Sequence, residues 1–528
     1  MLALLLFFYS ITPGQINPSV SSQLRYGNGE QSINTIKQDF KYFESLTDFR
    51  LGLPSNLALG FRLLYDDPPE TGPVFKGLKR KFIEYNGDDF DLRAGDFSEL
   101  YGKGLLINLF EDRGLAYDTW VEGIKAGYRK GIFKFSIMGG SMDFYDSVQI
   151  ARIEKYKVRA GNAEIALLDN QKLGLSFAES SGDIPGIVNT AHIQSESPEL
   201  YADLNAGNFN FNVNWSQNRI KIMNENLTHT GSGLYSSVSY SGPGFGVTVD
   251  YKNYRYDIVD PFNRNDNTRP TKMLPFQNPP IVYREQSYKL ISRPVHQIDF
   301  NDEVGAQMEV FYSPDENLSF TFNTSISSRH FKYNYDPAGF SFKEERRNNS
   351  WLPSVEDEYS PFTEFFLEAE YYYDGLNSVR TAFSRRTKTV YNDFTGIAGS
   401  ENIRSIVIPV QWVGIFTNYL SGVLDYEYEY GTNNYNGTQP NFLNHYFSGL
   451  ISIFSQYTFG IRYELTNNRF ELSDRKDWLS IEAGYRITDA NIITVIFGNE
   501  RGGLVCTNGV CRYILPFSGT RVNLNFNI

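Results

Sequence analysis

Histidine and cysteine are scarce in this chain: five and two in 528 residues. Two cysteines exclude a cysteine-rich zinc module and a multi-bridge disulfide framework. None of His192, His229, His296, His330 and His445 lies in a zinc motif or next to a nucleophile elbow. No catalytic residue, metal ligand or cofactor site is therefore expected. An enzyme would need a histidine and an acid meeting at one rim position, with His330 or His445 as the base. Positive charge is also short, with 49 Lys and Arg against 61 Asp and Glu, a net charge of -12. That excludes nucleic acid as a partner, and the cluster Lys76, Lys79, Arg80, Lys81 reads as an exposed hairpin. No apolar run after the N-terminus reaches the roughly 20 residues of a spanning helix, and the mean hydropathy is -0.38. Helical periodicity is hard to find anywhere. A helical membrane protein is excluded.

What the chain does have is aromatic residues, 36 Tyr and 41 Phe, and alternation with a period of two. Phe209, Phe211, Val213 and Trp215 alternate with Asn210, Asn212 and Asn214. Leu424, Tyr426, Tyr428 and Tyr430 alternate with Asp425, Glu427 and Glu429. Leu479, Ile481, Ala483, Tyr485 and Ile487 alternate with Ser480, Glu482, Gly484 and Arg486. A strand turns successive side chains to opposite faces, so each stretch has a greasy face and a wet one. Very short turns, such as Gly207-Asn208, Pro243-Gly244 and Ala490 with its neighbours, alternate with longer polar connections. Two of these, about 258–298 and 333–361, are very long and read as extracellular loops. Short turns on one side, long loops on the other and aromatic girdles describe a transmembrane barrel. The count predicts an all-β, large single-chain antiparallel transmembrane β-barrel of about 20–24 strands, 24 if every N-terminal candidate counts. One barrel takes up residues 15–528.

The ends and two local motifs add detail. Residues 1–14, Met1 to Gly14, resemble a secretory signal peptide without its basic start, which puts the mature chain from Gln15 on an export route. Too few residues precede the first strands for a lumen-plugging N-terminal domain, which argues against the TonB-dependent class. The final segment, with Gly519 and then Val522, Leu524, Phe526 and Ile528 at alternate positions, resembles the C-terminal insertion signal of outer-membrane barrels. The expected partners are then outer-membrane lipid and the barrel-assembly machinery. Cys506 and Cys511 flank Asn508-Gly509, a tight-turn signal. An oxidising compartment favours a hairpin disulfide over a metal pair or a redox pair, and the phase of the strands sets this hairpin at the cell surface. Residues 95–118 are Gly-rich, then apolar, then densely charged. Two readings stand: a strand that continues above the membrane beside its neighbour, or a segment folded into the lumen as a constriction lined by Glu99, Glu111, Asp112, Arg113 and Asp118. Charges of both signs on inward positions, such as Arg462, Glu464, Glu482 and Arg486, fit either ion pairs that fill a lumen or a ladder that selects a solute.

The stretch from Gly95-Asp-Phe-Ser-Glu99 to Glu111-Asp112-Arg113, and the segment Arg501-Gly-Gly-Leu-Val-Cys506-Thr-Asn-Gly-Val-Cys511, resemble an uncharacterised outer-membrane barrel family, a domain of unknown function found in Bacteroidota and relatives. The resemblance runs from about residue 40 to the C-terminus, and the cysteine hairpin is its more specific part. It implies a barrel in the bacterial outer membrane and brings no activity. The expected function is a pore or transporter for small or medium solutes. The alternative is a surface-binding or assembly protein that acts through its long loops.

Overall fold

The computed structural model describes residues 16–33, 36–145, 153–168, 171–185, 190–224, 226–256, 274–293, 296–339, 341–391, 401–434, 440–469, 471, and 475–527. The N-terminal segment read as a signal peptide, and Ile528, lie outside them. Twenty-four strands form one antiparallel sheet, and each pairs with its neighbours in the chain. The sheet closes on itself: Asn17–Ile33 pairs with Phe517–Asn527 from Ser21 opposite Asn527 to Gln31 opposite Phe517. Every candidate strand of the sequence reading finds its counterpart, including those nearest the N-terminus. Among the described residues the one complete helical turn is a 3-10 turn, Asp357–Tyr359.

Alternation decides which face is which. In Phe209–Ile222, Phe211, Val213 and Trp215 are exposed, and Asn212, Asn214, Ser216 and Asn218 are buried. The same inversion recurs in Leu420–Asn433, where Leu424, Tyr426 and Tyr430 are exposed and Glu427 and Glu429 are buried. A soluble protein reverses this arrangement. Here the exposed greasy faces, Phe135 and Ile137, Leu175 and Phe177, Phe459 and Ile461 among them, form an outer belt that water would not tolerate and lipid requires. Backbone groups in such a belt need internal partners, and closure of the sheet supplies them without leaving an edge.

Connections at one end of the barrel, such as 54–56, 131–132, 207–208, 243–244, 373–377, 418–419 and 489–490, run two to five residues. This is the periplasmic end by the rule for such barrels. At the outer end three long connections turn inward. The first, residues 98–120, follows the strand Phe90–Phe97 and forms a two-residue ladder, Glu111–Asp112 with Tyr117–Asp118, and a single bridge between Leu100 and Asn108. It does not continue as a wall strand above the membrane. The second is the connection before the strand Glu303–Tyr312. Read from sequence as a projecting loop, it folds inward over its described part, 274–293 and 296–302, because its apolar side chains Leu274, Phe276, Leu290 and Ile291 find a dry environment there, each at most 1 % exposed. The third is the cysteine hairpin, Gly503–Thr507 with Val510–Ile514. Cys506 and Cys511 are directly opposite and disulfide-bonded. Asn508 and Gly509, both at positive φ (51° and 78°), make the two-residue turn that the dipeptide announces. Its tip rests on the inward-folded chain, with Val510 buried, so the hairpin covers the lumen and does not project from the surface.

The hairpin Phe331–Asp336 with Ser341–Arg346 belongs to the other long loop and stays outside. The chain that follows it lies against the wall, where Tyr251 Oη donates to Trp351 O at 2.7 Å and Asn253 Nδ2 to Ser350 O at 3.1 Å.

Candidate functional site: the filled lumen

The inward-folded segments meet in one apolar core. Leu106, Ile107, Leu109, Leu115 and Tyr117 of the first pack with Leu274 and Phe276 of the second. Inward side chains of the wall, Met138, Met142, Phe144, Tyr156, Val158, Ile193, Ile220 and Tyr254, surround them. The two segments are also joined by backbone, with Asn108 N–H donating to Phe276 O at 2.8 Å and Asn278 N–H to Gly104 O at 3.1 Å. Tyr117 Oη donates to Pro275 O at 2.8 Å.

Charge complements this core. On the first segment the acids face wall cations. Glu111 meets Arg62 at 2.5 Å, and Asp118 meets Lys79 at 3.0 Å and also pairs with Arg80. Glu99 meets Lys125 at 3.1 Å. Arg113 reverses the pattern by pairing with the wall residue Glu44, and Asp112 accepts the Leu115 N–H, holding the local turn. The structure thus places Glu99, Glu111, Asp112, Arg113 and Asp118 on one inward-folded element, with Asp112 serving its own backbone. Burial pushes the Asp118 carboxyl up, but the Arg80 and Lys79 cations outweigh it and hold it below the usual range.

The second segment crosses the barrel. It begins against Tyr156, whose ring meets Phe276 edge-on at 5.9 Å. From there residues 284–293 run along a wall rich in acids. Arg284 reaches Glu309 at 2.8 Å, and Tyr288 Oη donates to Glu368 at 2.6 Å. The Lys289 and Leu290 N–H groups both donate to the Glu427 carboxylate at 2.7 Å. Arg386 on the wall holds Glu364 at 2.9 Å and the Ile291 carbonyl. Arg293 pairs with Glu464 and donates to Gly502 O at 3.0 Å. Counting Asn17–Ile33 as the first barrel strand, Tyr156 is on the eighth and Glu464 on the twenty-first of 24. These strands lie on opposite sides of the cylinder, so the segment is a strap across the lumen. Sequence reasoning missed it. The available signal was the apolar content of Ile281–Tyr283 and Leu290–Ile291, which does not suit a solvated loop.

Where the strap returns to the wall, His296 is buried between Phe362, stacked at 4.4 Å, and Glu303, with Nε2 at 3.0 Å from Glu303 Oε1 and 3.0 Å from Ser327 Oγ. Lys252 Nζ lies 2.6 Å from the same Glu303 oxygen. Burial lowers the His296 pKa below its ordinary value, against the opposing pull of Glu303. The rim candidates for a base are occupied. His330 Nδ1 lies 2.8 Å from Asp302 and Nε2 3.0 Å from Asn253, and His445 Nδ1 lies 3.0 Å from Tyr426 Oη. Among the described residues no group of three or more His, Cys, Asp or Glu is placed to hold a metal ion.

A closed 24-strand cylinder with a lipid-facing belt and an interior filled by its own connections defines a large transmembrane barrel of the bacterial outer membrane. The chain belongs to DUF6029, a family of unknown function, which matches residues 41–528. Among solved structures, the copper transporter OprC is 10 % identical, with a TM-score of 0.46 over 98 % of this chain and 81 % of that one. The siderophore receptor PirA from Pseudomonas aeruginosa is 8 % identical, with the same TM-score and coverage. Pseudomonas aeruginosa OpdO is 10 % identical, with a TM-score of 0.38 over 86 % of this chain and 98 % of that one. None of these likenesses bears on what this chain carries. A comparison with curated proteins finds no match.

Proposed function

We propose that this barrel is an outer-membrane pore or transporter for small or medium solutes, closed at rest by its own inward-folded connections. One observation carries the reading: the strap 284–293 is attached to the wall by ion pairs and hydrogen bonds and by one small apolar contact, of Leu290 and Ile291 with Phe366, Ala382 and Val407. A barrel of this strand number is too wide for wall side chains alone to fill. Chain that crosses it on polar tethers can be released without unfolding the wall. In this reading Glu99, Glu111, Arg113 and Asp118 hold the first segment over the path and set its constriction. No catalytic role is part of it, and an origin in Bacteroidota or a related phylum belongs to the same proposal.

The test is single-channel conductance in a planar bilayer, comparing the intact barrel with a variant whose residues 283–298 are replaced by a short Gly-Ser linker. The intact protein should give rare or small steps and the variant large, frequent ones. Silence from both, with each shown to be folded by its heat-modifiable gel mobility, would sink the reading.

The surface-binding alternative retains one supporting observation. Trp351, Leu352 and Val355, in the loop that lies against the outer wall, are 63 %, 60 % and 71 % exposed, an apolar patch open to a partner. Loss of a surface interaction, with solute flux unchanged, on replacing all three by Ser would favour it.

A further inference from the structure

Between the strap, the cysteine hairpin and the seam of the barrel lies a cavity of about 260 Å³. Its charged lining is uneven. Lys289 and Arg293 come from the strap, Arg501 from the start of the hairpin connection, Arg521 from the last strand, and Glu500 is the single acid. Glu500 is taken up by Arg521 at 2.9 Å, and the other carboxylates that pair with these cations, Glu464 with Arg293, Glu471 with Arg501 at 2.5 Å and Glu70 with Arg521 at 2.6 Å, are not on the cavity lining.

Two features show that the pairing is incomplete. The Arg501 side chain is only 5 % exposed, yet its Nε and Nη1 are buried without a hydrogen-bond partner. Its one further acid, Glu464, is 3.7 Å from Nη1, outside hydrogen-bond range. Buried donors of this kind normally find an acceptor, because leaving one unmet costs free energy. The Arg501 guanidinium also lies over the Trp478 ring, 5.0 Å from its centre, a cation–π contact that helps hold it in place. The second feature is Lys289. The strap is tethered through its backbone N–H, which leaves the ammonium, inside the lumen on the cavity lining, without an ion pair among the described residues. Burial, and then the Arg293 charge, push the Lys289 pKa down, a penalty that a bound anion relieves.

We propose that this cavity binds an oxyanion, the carboxylate or phosphate group of a small solute, between Lys289 and the guanidinium of Arg501. The inference rests on the pore reading and deepens it by naming the charge of the solute. Planar donors fit a planar or tetrahedral oxyanion, and an ammonium on a flexible stem closes over it as a point charge. The net charge of -12 belongs to the chain as a whole, and this cavity reverses it locally.

The test is calorimetric titration of the folded, detergent-solubilised barrel with inorganic phosphate and, separately, with succinate. Lys289→Gln and Lys289→Glu are the variants, with Lys343→Gln on the outer hairpin as control. Lys289 tethers the strap through its backbone, so both variants keep the wall contacts. Lys289→Gln should weaken binding roughly tenfold, about 1.4 kcal/mol, and Lys289→Glu should abolish it, while Lys343→Gln binds as the parent does. Preference for phosphate or for succinate assigns the group, and either outcome supports the site. Absence of binding by the folded parent, or binding that both Lys289 variants leave unchanged, overturns it. Conductance separates the two readings: a barrel that conducts without binding either anion keeps the pore and loses the site, and one that binds without conducting does the reverse.

Discussion

At the scale of residues, the contacts that matter most are those in which one side chain keeps a buried partner from being alone. Glu364 is buried within the barrel wall, and Arg386 is its cation at 2.9 Å. Arg386→Ala would leave that charge uncompensated and also free the Ile291 carbonyl. We expect a loss of roughly 3–5 kcal/mol, read as an earlier midpoint in urea unfolding of the folded barrel, and an unchanged midpoint would show the pair to be dispensable. Gly519 is constrained differently. A Cβ there would fall 2.3 Å from the Asn28 carbonyl oxygen and 2.6 Å from Gly29 Cα, across the seam between the first and last strands. Gly519→Val should therefore impair closure and lower the yield of heat-modifiable barrel, whereas Ser518→Val beside it should not. The position was singled out in the sequence as part of an insertion signal, and the structure adds a steric role in closing the cylinder.

At the scale of elements, the strap is the part whose stability responds to pH. His296 docks it beside Glu303, with Lys252 and Lys388 adding positive charge nearby and Tyr283 edge-on to the ring at 5.8 Å. Its docked pKa is lowered, chiefly by burial, while an undocked histidine titrates near 6.5. Between those values the undocked state binds the proton more readily. Docking is therefore fully favourable above about pH 6.5 and weakens as pH falls toward the docked pKa. Hydrogen exchange of 284–302 should speed up between pH 8 and pH 5, after correction for intrinsic rates, while the wall strands hold constant. Equal protection at both pH values would remove His296 from the docking balance. The cysteine hairpin is a smaller clamp. Its disulfide closes a loop of only a few residues, worth about 2 kcal/mol in the chain-entropy account. Replacing both cysteines by Ser should loosen the contact of Asn508 with Glu285 and lower the stability of the barrel by no more than that amount, which proteolysis at the hairpin and urea unfolding would read separately.

At the scale of the whole molecule, charge is distributed in two complementary halves. The first inward segment brings acids to wall cations at Arg62, Arg80 and Lys125, and the strap brings Arg284 and Arg293 to wall acids at Glu309 and Glu464. Each half docks by opposite sign, so weakening one should leave the other seated. Glu111→Gln with Asp118→Asn would leave Arg62 and Arg80 with fewer partners and free the first segment alone. The expected outcome is a partial rise in conductance, smaller than that from removing the strap. A rise of the same size would show that the two segments move together through their shared apolar core.

The wall was legible in the sequence because a barrel strand has a local signature. Every second side chain must suit lipid and its neighbours must suit the interior, and the pattern survives in Phe209–Trp215 or Leu424–Tyr430 without any knowledge of the partner strand. The alternation of short and long connections oriented the cylinder for the same reason. The cysteine pair and its Asn-Gly turn were also local. Only the tertiary structure decided what the outer connections do. Whether Leu105 to Leu109 pair with a neighbouring strand or fill a lumen depends on Phe276 and Asn278, some 170 residues away, and on inward side chains from strands around half the barrel. Likewise, that Arg501 ends beside Lys289 follows from a strap running to the far wall, a long-range contact that no spacing in the chain announces. Periodicity records which face a residue shows to lipid; only closure of the cylinder determines what it meets inside.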